Sequence, residues 1–205
     1  MVIAHSDPTM QIYLAKPTSR LMGFADGENL VCRYQNTLEK EGLVPRDDIT
    51  HERDVLVWHP SFTHLASFHE ILRVTYYTSM AGSYEQIAAL GRKINGLQFN
   101  KHRSSFLPNY LTPFVVKRKS DTRHSKGIDI QLCVDVLGQV HRKNVDAILL
   151  LTGDGDYIPL IEEVLRLGVQ VFLSSFSCGL HPGLRDKVDA LYELDGTTWQ
   201  SRPHS

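Results

Sequence analysis

Short apolar runs that end in polar turns alternate along this chain with stretches whose apolar residues recur every three or four positions. The two patterns predict strands and helices in alternation. Leu21-Met-Gly-Phe-Ala25 reads as a buried strand opening into Asp26-Gly27, followed by a helix from Leu30 to Glu41 with Asn29 as its cap and Gly42 just past its end. Val55 to Trp58 predicts a strand stopped by Pro60, His64 to Glu70 a short helix, and Ile71 to Tyr77 a strand rich in β-branched and aromatic residues. Ser83 caps a helix through Ile94, Phe114 to Val116 predicts a further strand, and the basic, polar stretch from Lys117 to Ser125 reads as a loop. Leu132, Cys133, Val136, Leu137 and Val140 fall at helical spacing, which predicts a helix from about Lys126 to Arg142 with Asp129 in its first turn. Ala147 to Leu151 reads as a fully buried strand with Thr152-Gly-Asp-Gly-Asp156 as the loop at its end. A helix from Tyr157 to Leu167 closed by Gly168, a strand from Val169 to Leu173 and a terminal helix from Leu184 to Leu194 complete the prediction. This alternation implies an α/β fold with a mostly parallel central sheet covered on both faces.

Length and composition change the picture little. With 205 residues, 42% of them hydrophobic, the chain can bury one substantial core, and a single domain is expected over 18–197, with flexible ends at 1–17 and 198–205. There is no internal repeat. The first twenty residues lack a basic segment followed by a continuous apolar one, and no apolar run approaches the roughly 20 residues that span a bilayer, so a soluble cytoplasmic protein without a membrane partner is expected. Cys32, Cys133 and Cys178 are far apart and never in a CxxC pair, which points to reduced, half-buried thiols rather than a disulfide framework or a thiolate zinc site.

Charge changes it more. Between Gly91 and Lys126 nine basic residues face Asp121 alone, a local surplus of eight in a chain whose net charge is −1. A field segregated in this way can draw in a polyanion while leaving an acidic region free to hold metal, although a solvated basic loop is the simpler account of the run taken alone. Phe99, Phe106 and Tyr110, interleaved with Lys101 and Arg103, are candidates to stack unpaired bases or to anchor the core.

The candidate chemistry is acidic. In an open parallel sheet ligands bind beyond the carboxyl ends of the strands, where Asp26, Asp154 and Asp156 are expected, with Asp129 added from a helix start. Carboxylates brought that close raise one another's pKa unless a cation neutralises them, and hard oxygen ligands suit Mg²⁺ or Mn²⁺. Each Asp has a simpler reading too: Asp26 and Asp129 can serve as helix caps, and Asp154-Gly-Asp156 resembles a fragment of a calcium loop without its closing Glu. No HExxH helix, GxSxG elbow or GxxxxGK[ST] loop is present, which argues against a zinc hydrolase, a serine hydrolase and a P-loop NTPase.

FADGENL at the first strand, KGIDIQLCVD at a helix start and LLLTGDGDYIPLIEEVLRLGVQVFL near the end, in that order and over most of the chain, resemble the NYN domain family of PIN-like nucleases. The D-x-x-N, K-x-x-D and [ST]GD-x-D-[FY] signatures of that family fall on Asp26 with Asn29, Lys126 with Asp129, and Asp154 with Asp156. The resemblance implies a three-layer α/β/α fold, PIN-like and Rossmann-like, and a metal-dependent endoribonuclease that hydrolyses RNA phosphodiester bonds by metal-activated water, without a covalent intermediate. It implies that Asp26, Asp129, Asp154 and Asp156 are catalytic and ligate Mg²⁺ or Mn²⁺, with Asp135 a further candidate. It also implies that Asn29 orients the first carboxylate or the substrate, and that Lys126 touches phosphate. Lys117, Arg118, Lys119 and Arg123 then become candidate RNA contacts, and salt should weaken binding in proportion to the phosphates neutralised. PIN-like enzymes add one more acid before the central helix, for which Glu28, Glu70 and Glu85 are candidates. A catalytically weak RNA-binding or adaptor module and a small-nucleotide phosphohydrolase are the competing functions, and homo-oligomerisation stays open.

Overall fold

The computed structural model describes residues 19–99, 109–119 and 127–200. Among them, six strands form one sheet in the order β5-β4-β1-β6-β7-β8, built from β1 (Arg20–Asp26), β4 (Glu70–Met80), β5 (Thr112–Lys117), β6 (Ala147–Leu151), β7 (Gln170–Ser175) and β8 (Ala190–Glu193). Every pairing in this sheet is parallel. The helices are α1 (Gly27–Glu41), α2 (Tyr84–Asn95), α3 (Ile128–His141), α4 (Ile158–Arg166), and the short α5 (Pro182–Arg185) and α6 (Asp195–Thr198).

The alternation of side chains along the strands builds two cores, one on each sheet face. Leu21, Ala25, Tyr76, Leu149 and Leu151 face the layer that contains α1, α2 and the 58–66 region. Phe24, Tyr77, Ile148 and Leu150 face Ile128, Leu132 and Val136 of α3 and Leu160, Ile161 and Val164 of α4. A strand buried on both faces must be apolar throughout, which is why β6 reads as five consecutive buried residues in AILLL. The expected three-layer α/β/α architecture follows from these two cores.

Chain order fixes the location of the crevice. From β1 the chain moves to β4 on one side, and β6 later pairs on the other, so the order reverses between β1 and β6. In an open parallel sheet the loops part at such a switch point and leave a crevice beyond the strand ends. Register sets Ala25 opposite Leu151, so Asp26 and Thr152 enter that crevice side by side.

Several expectations are corrected. Asp26, not Asn29, caps α1: its carboxylate accepts from the Asn29 backbone N–H, and the helix begins at Gly27. Gly27 stands where a Cβ would lie 2.4 Å from a Tyr76 ring carbon and 2.6 Å from the Tyr77 carbonyl oxygen, so the helix starts against β4 more closely than any other residue allows. The strand expected from Val55 is β3 (Leu56–Trp58), which pairs with β2 (Thr50–Glu52) in a separate antiparallel hairpin. In place of a helix from His64 to Glu70 there is a 3₁₀ segment over Pro60–Ala66, opened by the His59 ring, which accepts from the Ser61 N–H; Glu70 already belongs to β4. The helix expected from Tyr157 starts one residue later, after a 3₁₀ turn over Gly155–Tyr157.

The terminal helix expected from Leu184 to Leu194 is instead α5, then β8. Asp189 exchanges backbone and side-chain hydrogen bonds with Val171, its N–H donating to the Val171 carbonyl at 2.9 Å and its carboxylate accepting from the Val171 N–H at 2.7 Å. That pair turns the chain onto the open edge of β7. Ala190 and Tyr192 then meet one core and Leu191 the other, a period of two that a helix cannot satisfy. Residues 198–200, expected in a loose tail, are packed: Trp199 stacks on Tyr34 with ring centroids 5.1 Å apart and bridges to Pro45. The tails expected over 1–17 and 201–205 lie outside the described residues.

Candidate active site

Three chain segments supply the crevice with its chemistry. β1 ends in Asp26, 3% exposed, because the strand enters the core and the cap position of α1 holds the carboxylate inward. β6 ends in Thr152-Gly153, and the loop turns at once into the 3₁₀ segment that carries Asp154, Asp156 and Tyr157. α3 brings Asp129 in its first turn.

Asp26 is held by three groups. Its Oδ1 accepts from the Asn29 N–H at 3.0 Å, and its Oδ2 from the Thr152 hydroxyl at 3.2 Å and the Tyr157 hydroxyl at 3.3 Å. The Asn29 side chain acts one step further out, its Oδ1 accepting from the Gly153 N–H at 2.9 Å and tying the end of β1 to the end of β6. The Tyr157 hydroxyl also lies 3.2 Å from Asp129 Oδ1, so one phenol stands between two carboxylates. It has a single proton for the two acceptors. The electrostatics record the strain: burial, with Asp129 and Glu28 adding to it against the Asn29 and Thr152 hydrogen bonds, pushes the Asp26 carboxyl up to about 7. Burial and both aspartates push the Tyr157 hydroxyl up as well, so it stays a neutral donor.

Asp154 and Asp156 are on the same loop but do not join this pair in the same way. Asp154 turns its carboxylate to its own backbone, Oδ1 accepting from the Asp156 N–H at 3.0 Å, which is what tightens the first turn. Asp156 is exposed. Among the described residues no three His, Cys, Asp or Glu side chains converge as a set that would hold a metal. Asp135 is engaged elsewhere, accepting from the Tyr77 hydroxyl at 2.8 Å and the Gln131 amide at 3.0 Å.

A divalent cation nevertheless suits the pair. Mg²⁺ retains several waters and is commonly held by one or two carboxylates together with substrate phosphates. Asp26 and Asp129 offer oxygen donors only, and the raised pKa of Asp26 marks a buried acid in need of a positive partner. Of the three acids considered as an addition, Glu28 stands at this edge, in the first turn of α1 with its carboxylate accepting from the Ser79 hydroxyl. Glu70 pairs with Arg20 at the opposite end of the sheet, and Glu85 is exposed at the start of α2.

The basic segment reaches the same edge from the other side. Lys117 closes β5 with its ammonium 4.4 Å from the centre of the Tyr84 ring, and Arg118 donates its backbone N–H to the Met80 carbonyl at 3.1 Å. Two strand spacings, about 9.6 Å, separate β5 from β1. Arg118 and Glu28 both line a groove of about 280 Å³ along α1, together with Cys32, Gln35, Asn36 and Arg53. Lys119 is described beside Arg118, whereas Arg123 and Lys126 lie outside the described residues, as do Lys101, Arg103 and Phe106. Phe99 is core rather than a base platform, at 3% exposure, while Tyr110 is exposed. The three cysteines are half-buried and unpaired.

Two contributors were not found from sequence. Tyr157 was read only as the start of a helix, although its hydroxyl joins Asp26 to Asp129. His181 is not marked by any motif in the sequence. Its backbone N–H donates to the Gly153 carbonyl at 3.0 Å, and its ring lies against Gly155, where a Cβ would come within 2.6 Å of it. The Gly183 N–H donates to its Nδ1 at 3.1 Å. The signal available is the S-C-G-L-H-P connection that follows β7 after Phe176.

Comparison with known proteins bears on this arrangement. The family model described as the NYN domain matches residues 20–195, which includes all three acidic segments. The chain belongs to the NYN domain family. NYN domains are a family of PIN-like nucleases, typically dependent on divalent metal, that act on RNA. Among solved structures, this NYN domain is similar to a protein of unknown function from Vibrio parahaemolyticus, with a TM-score of 0.54 and 15% identity over 89% of this chain and 97% of that one, a likeness of fold. A putative oxidoreductase from Parabacteroides merdae aligns at a TM-score of 0.34 and 9% identity over 86% of this chain and 31% of that one, too weak to carry an argument. No curated protein matches. No helix among the described residues is long and apolar enough to cross a membrane.

Proposed function

We propose that this NYN domain is a metal-dependent endoribonuclease whose centre is the Asp26–Asp129 pair. The observation that carries the reading is the fully buried Asp26 carboxylate, pushed up to about 7 and sharing the Tyr157 hydroxyl with Asp129 at the switch-point crevice. Asp26 and Asp129 would hold Mg²⁺ or Mn²⁺, with Glu28 the further acid and Asp154 and Asp156 bordering the substrate side. The cation would supply activation of water and neutralisation of charge at the leaving oxygen.

The protein's own groups perform the rest. The Asn29 N–H on Oδ1 and the Thr152 hydroxyl on Oδ2 fix the Asp26 carboxylate, and the Asn29 side chain ties it to Gly153. Tyr157 holds Asp129 at a set distance from Asp26 and, remaining protonated, repels neither an anionic substrate nor the acids. Lys117, Arg118 and Lys119 offer positive charge to the RNA backbone on the β5 side, with Arg123 and Lys126 following in the sequence.

A second reading is favoured by one feature. The Asp154 carboxylate is spent on its own turn, and a module that only binds RNA needs no metal set there. Asp129→Asn separates the two, since an amide oxygen can still accept from the Tyr157 hydroxyl and preserve the fold. A nuclease loses metal-dependent cleavage of an RNA pool in this variant. A binding module shows no cleavage in either protein and unchanged RNA affinity.

A further inference from the structure

Arg33 stands on the β7 side of the crevice without a counter-charge among the described residues. It lies one helical turn beyond Asn29 on α1, so both side chains share the face that meets the loops after β6 and β7. The guanidinium is laid across Gly179 so closely that a Cβ there would come 2.3 Å from Nη1 and 2.5 Å from Cζ. Its Nε is buried and has no hydrogen-bond partner among the described residues. Among the described residues no carboxylate takes it: Asp26 faces Thr152 and Tyr157, Asp154 caps its own turn, and Asp195 accepts from the Ser177 N–H at 2.8 Å. The wall it stands on reaches the acids directly. The Gly179 carbonyl oxygen lies 3.2 Å from the place a Gly153 Cβ would occupy, and Gly153 is joined to Asn29 and adjoins Thr152, whose hydroxyl donates to Asp26.

A half-buried guanidinium with unused donors is costly unless an anion completes it, and its planar fork matches a phosphate. We propose that Arg33 is a phosphate-binding residue that holds a backbone phosphate of single-stranded RNA next to the one at the Asp26–Asp129 pair. This rests on the nuclease reading and adds a direction to it. The strand crosses the crevice, from the basic β5 side at Lys117–Lys119 to the β7 side at Arg33, rather than lying along the basic segment alone.

The test is binding of a short fluorescent single-stranded oligoribonucleotide in EDTA across a range of KCl concentrations, with cleavage kinetics measured separately in Mn²⁺. For single strands each neutralised phosphate adds about 0.7 to the slope of log affinity against log salt, so Arg33→Gln is expected to lower the slope by about 0.7. Affinity at low salt should fall about tenfold, the loss of one charge-assisted contact, and KM should rise with kcat little changed. Arg33→Lys, which keeps charge and stem and guards against misfolding of the Gln variant, should keep the slope and lose several-fold in affinity with the fork. Wild-type binding and cleavage with an unchanged slope and KM in Arg33→Gln, or undiminished affinity in Arg33→Lys, overturns the role of Arg33 and leaves the nuclease reading standing. A wild type that neither binds nor cleaves the oligoribonucleotide removes both.

Discussion

Replacing Asp26 by Asn should make the metal-free protein more stable at alkaline pH while abolishing its activity. The side chain is fully buried, and its carboxyl has moved from an ordinary value of 3.8 to about 7. An acid whose folded pKa is raised binds its proton more tightly in the folded than in the unfolded chain. Its contribution to stability is therefore complete below about pH 4 and is lost as pH rises through 7. The full loss is about 4 kcal/mol, of which about 3 kcal/mol falls between pH 5 and pH 8. Asn removes that loss with little change in shape, since its amide oxygen can accept from the Asn29 N–H as Oδ1 does, and its NH₂ can donate to the Thr152 and Tyr157 oxygens. Urea denaturation in EDTA at pH 5 and pH 8 measures the effect as a difference between the two proteins, in which groups common to both cancel. The variant should gain on wild type by about 3 kcal/mol between the two pH values. Excess Mg²⁺ or Mn²⁺ at pH 8 should then raise wild type alone, by about 2.7 kcal/mol at a hundredfold excess over the dissociation constant. Equal pH profiles for the two proteins, or an Asn variant less stable at pH 8, would refute the claim that Asp26 is a buried acid held for a cation.

Other residues test other parts of the site. Tyr157→Phe keeps the ring in its 2% exposed position and removes the shared hydroxyl, so it should cost about 1 kcal/mol by thermal or urea denaturation while weakening Mn²⁺ binding measured by calorimetry. Gly27→Ala drives a methyl into Tyr76 and the Tyr77 carbonyl and should destabilise by about 1–3 kcal/mol, with cleavage reduced because the cap of α1 and Asp26 move together. Asn29→Ala cuts the tie between α1 and Gly153. It should raise hydrogen exchange in the 152–156 loop and lower kcat more than it raises KM. Glu28→Gln should lower the midpoint of the Asp26 titration, followed by NMR of the carboxyl carbon, because Glu28 is among the charges that push it up.

Much of this was legible because burial writes itself into short runs. AILLL followed by TGDGD can hardly be anything but a buried strand and its exit loop, and LMGFA with DG carries the same signature. Where elements were missed, a partner distant in sequence decided. β8 forms because Asp189 clamps Val171 and the alternation of Ala190, Leu191 and Tyr192 satisfies two cores at once, neither of which shows locally. The hairpin of β2 and β3 and the 3₁₀ turn after Pro60 likewise depend on contacts distant in sequence, such as the Trp58 ring N–H donating to the Gln98 carbonyl. Within the site, acids at the strand ends are visible in the sequence, whereas the direction each carboxylate takes is not. Which of two neighbouring residues caps α1, and whether Asp154 faces the crevice or its own backbone, turns on side-chain rotation. Tyr157 was invisible as a bridge because its hydroxyl joins residues 131 and 28 positions away. Of Glu28, Glu70 and Glu85, the sheet register sets Glu70 opposite Arg20, at the far end of the strands from Asp26.

The central claim is that Asp26 and Asp129 together support metal-dependent hydrolysis of RNA. Cleavage of a mixed single-stranded and structured RNA pool by wild type and by Asp129→Asn, at matched folding and with Mg²⁺, Mn²⁺ or EDTA, tests it most directly. The account predicts internal cuts by wild type with either metal, none in EDTA, and a loss in Asp129→Asn of at least about a hundredfold, comparable to removing a principal charge-stabilising group. Cleavage that persists in EDTA, or an Asp129→Asn protein that cuts like wild type, would contradict it.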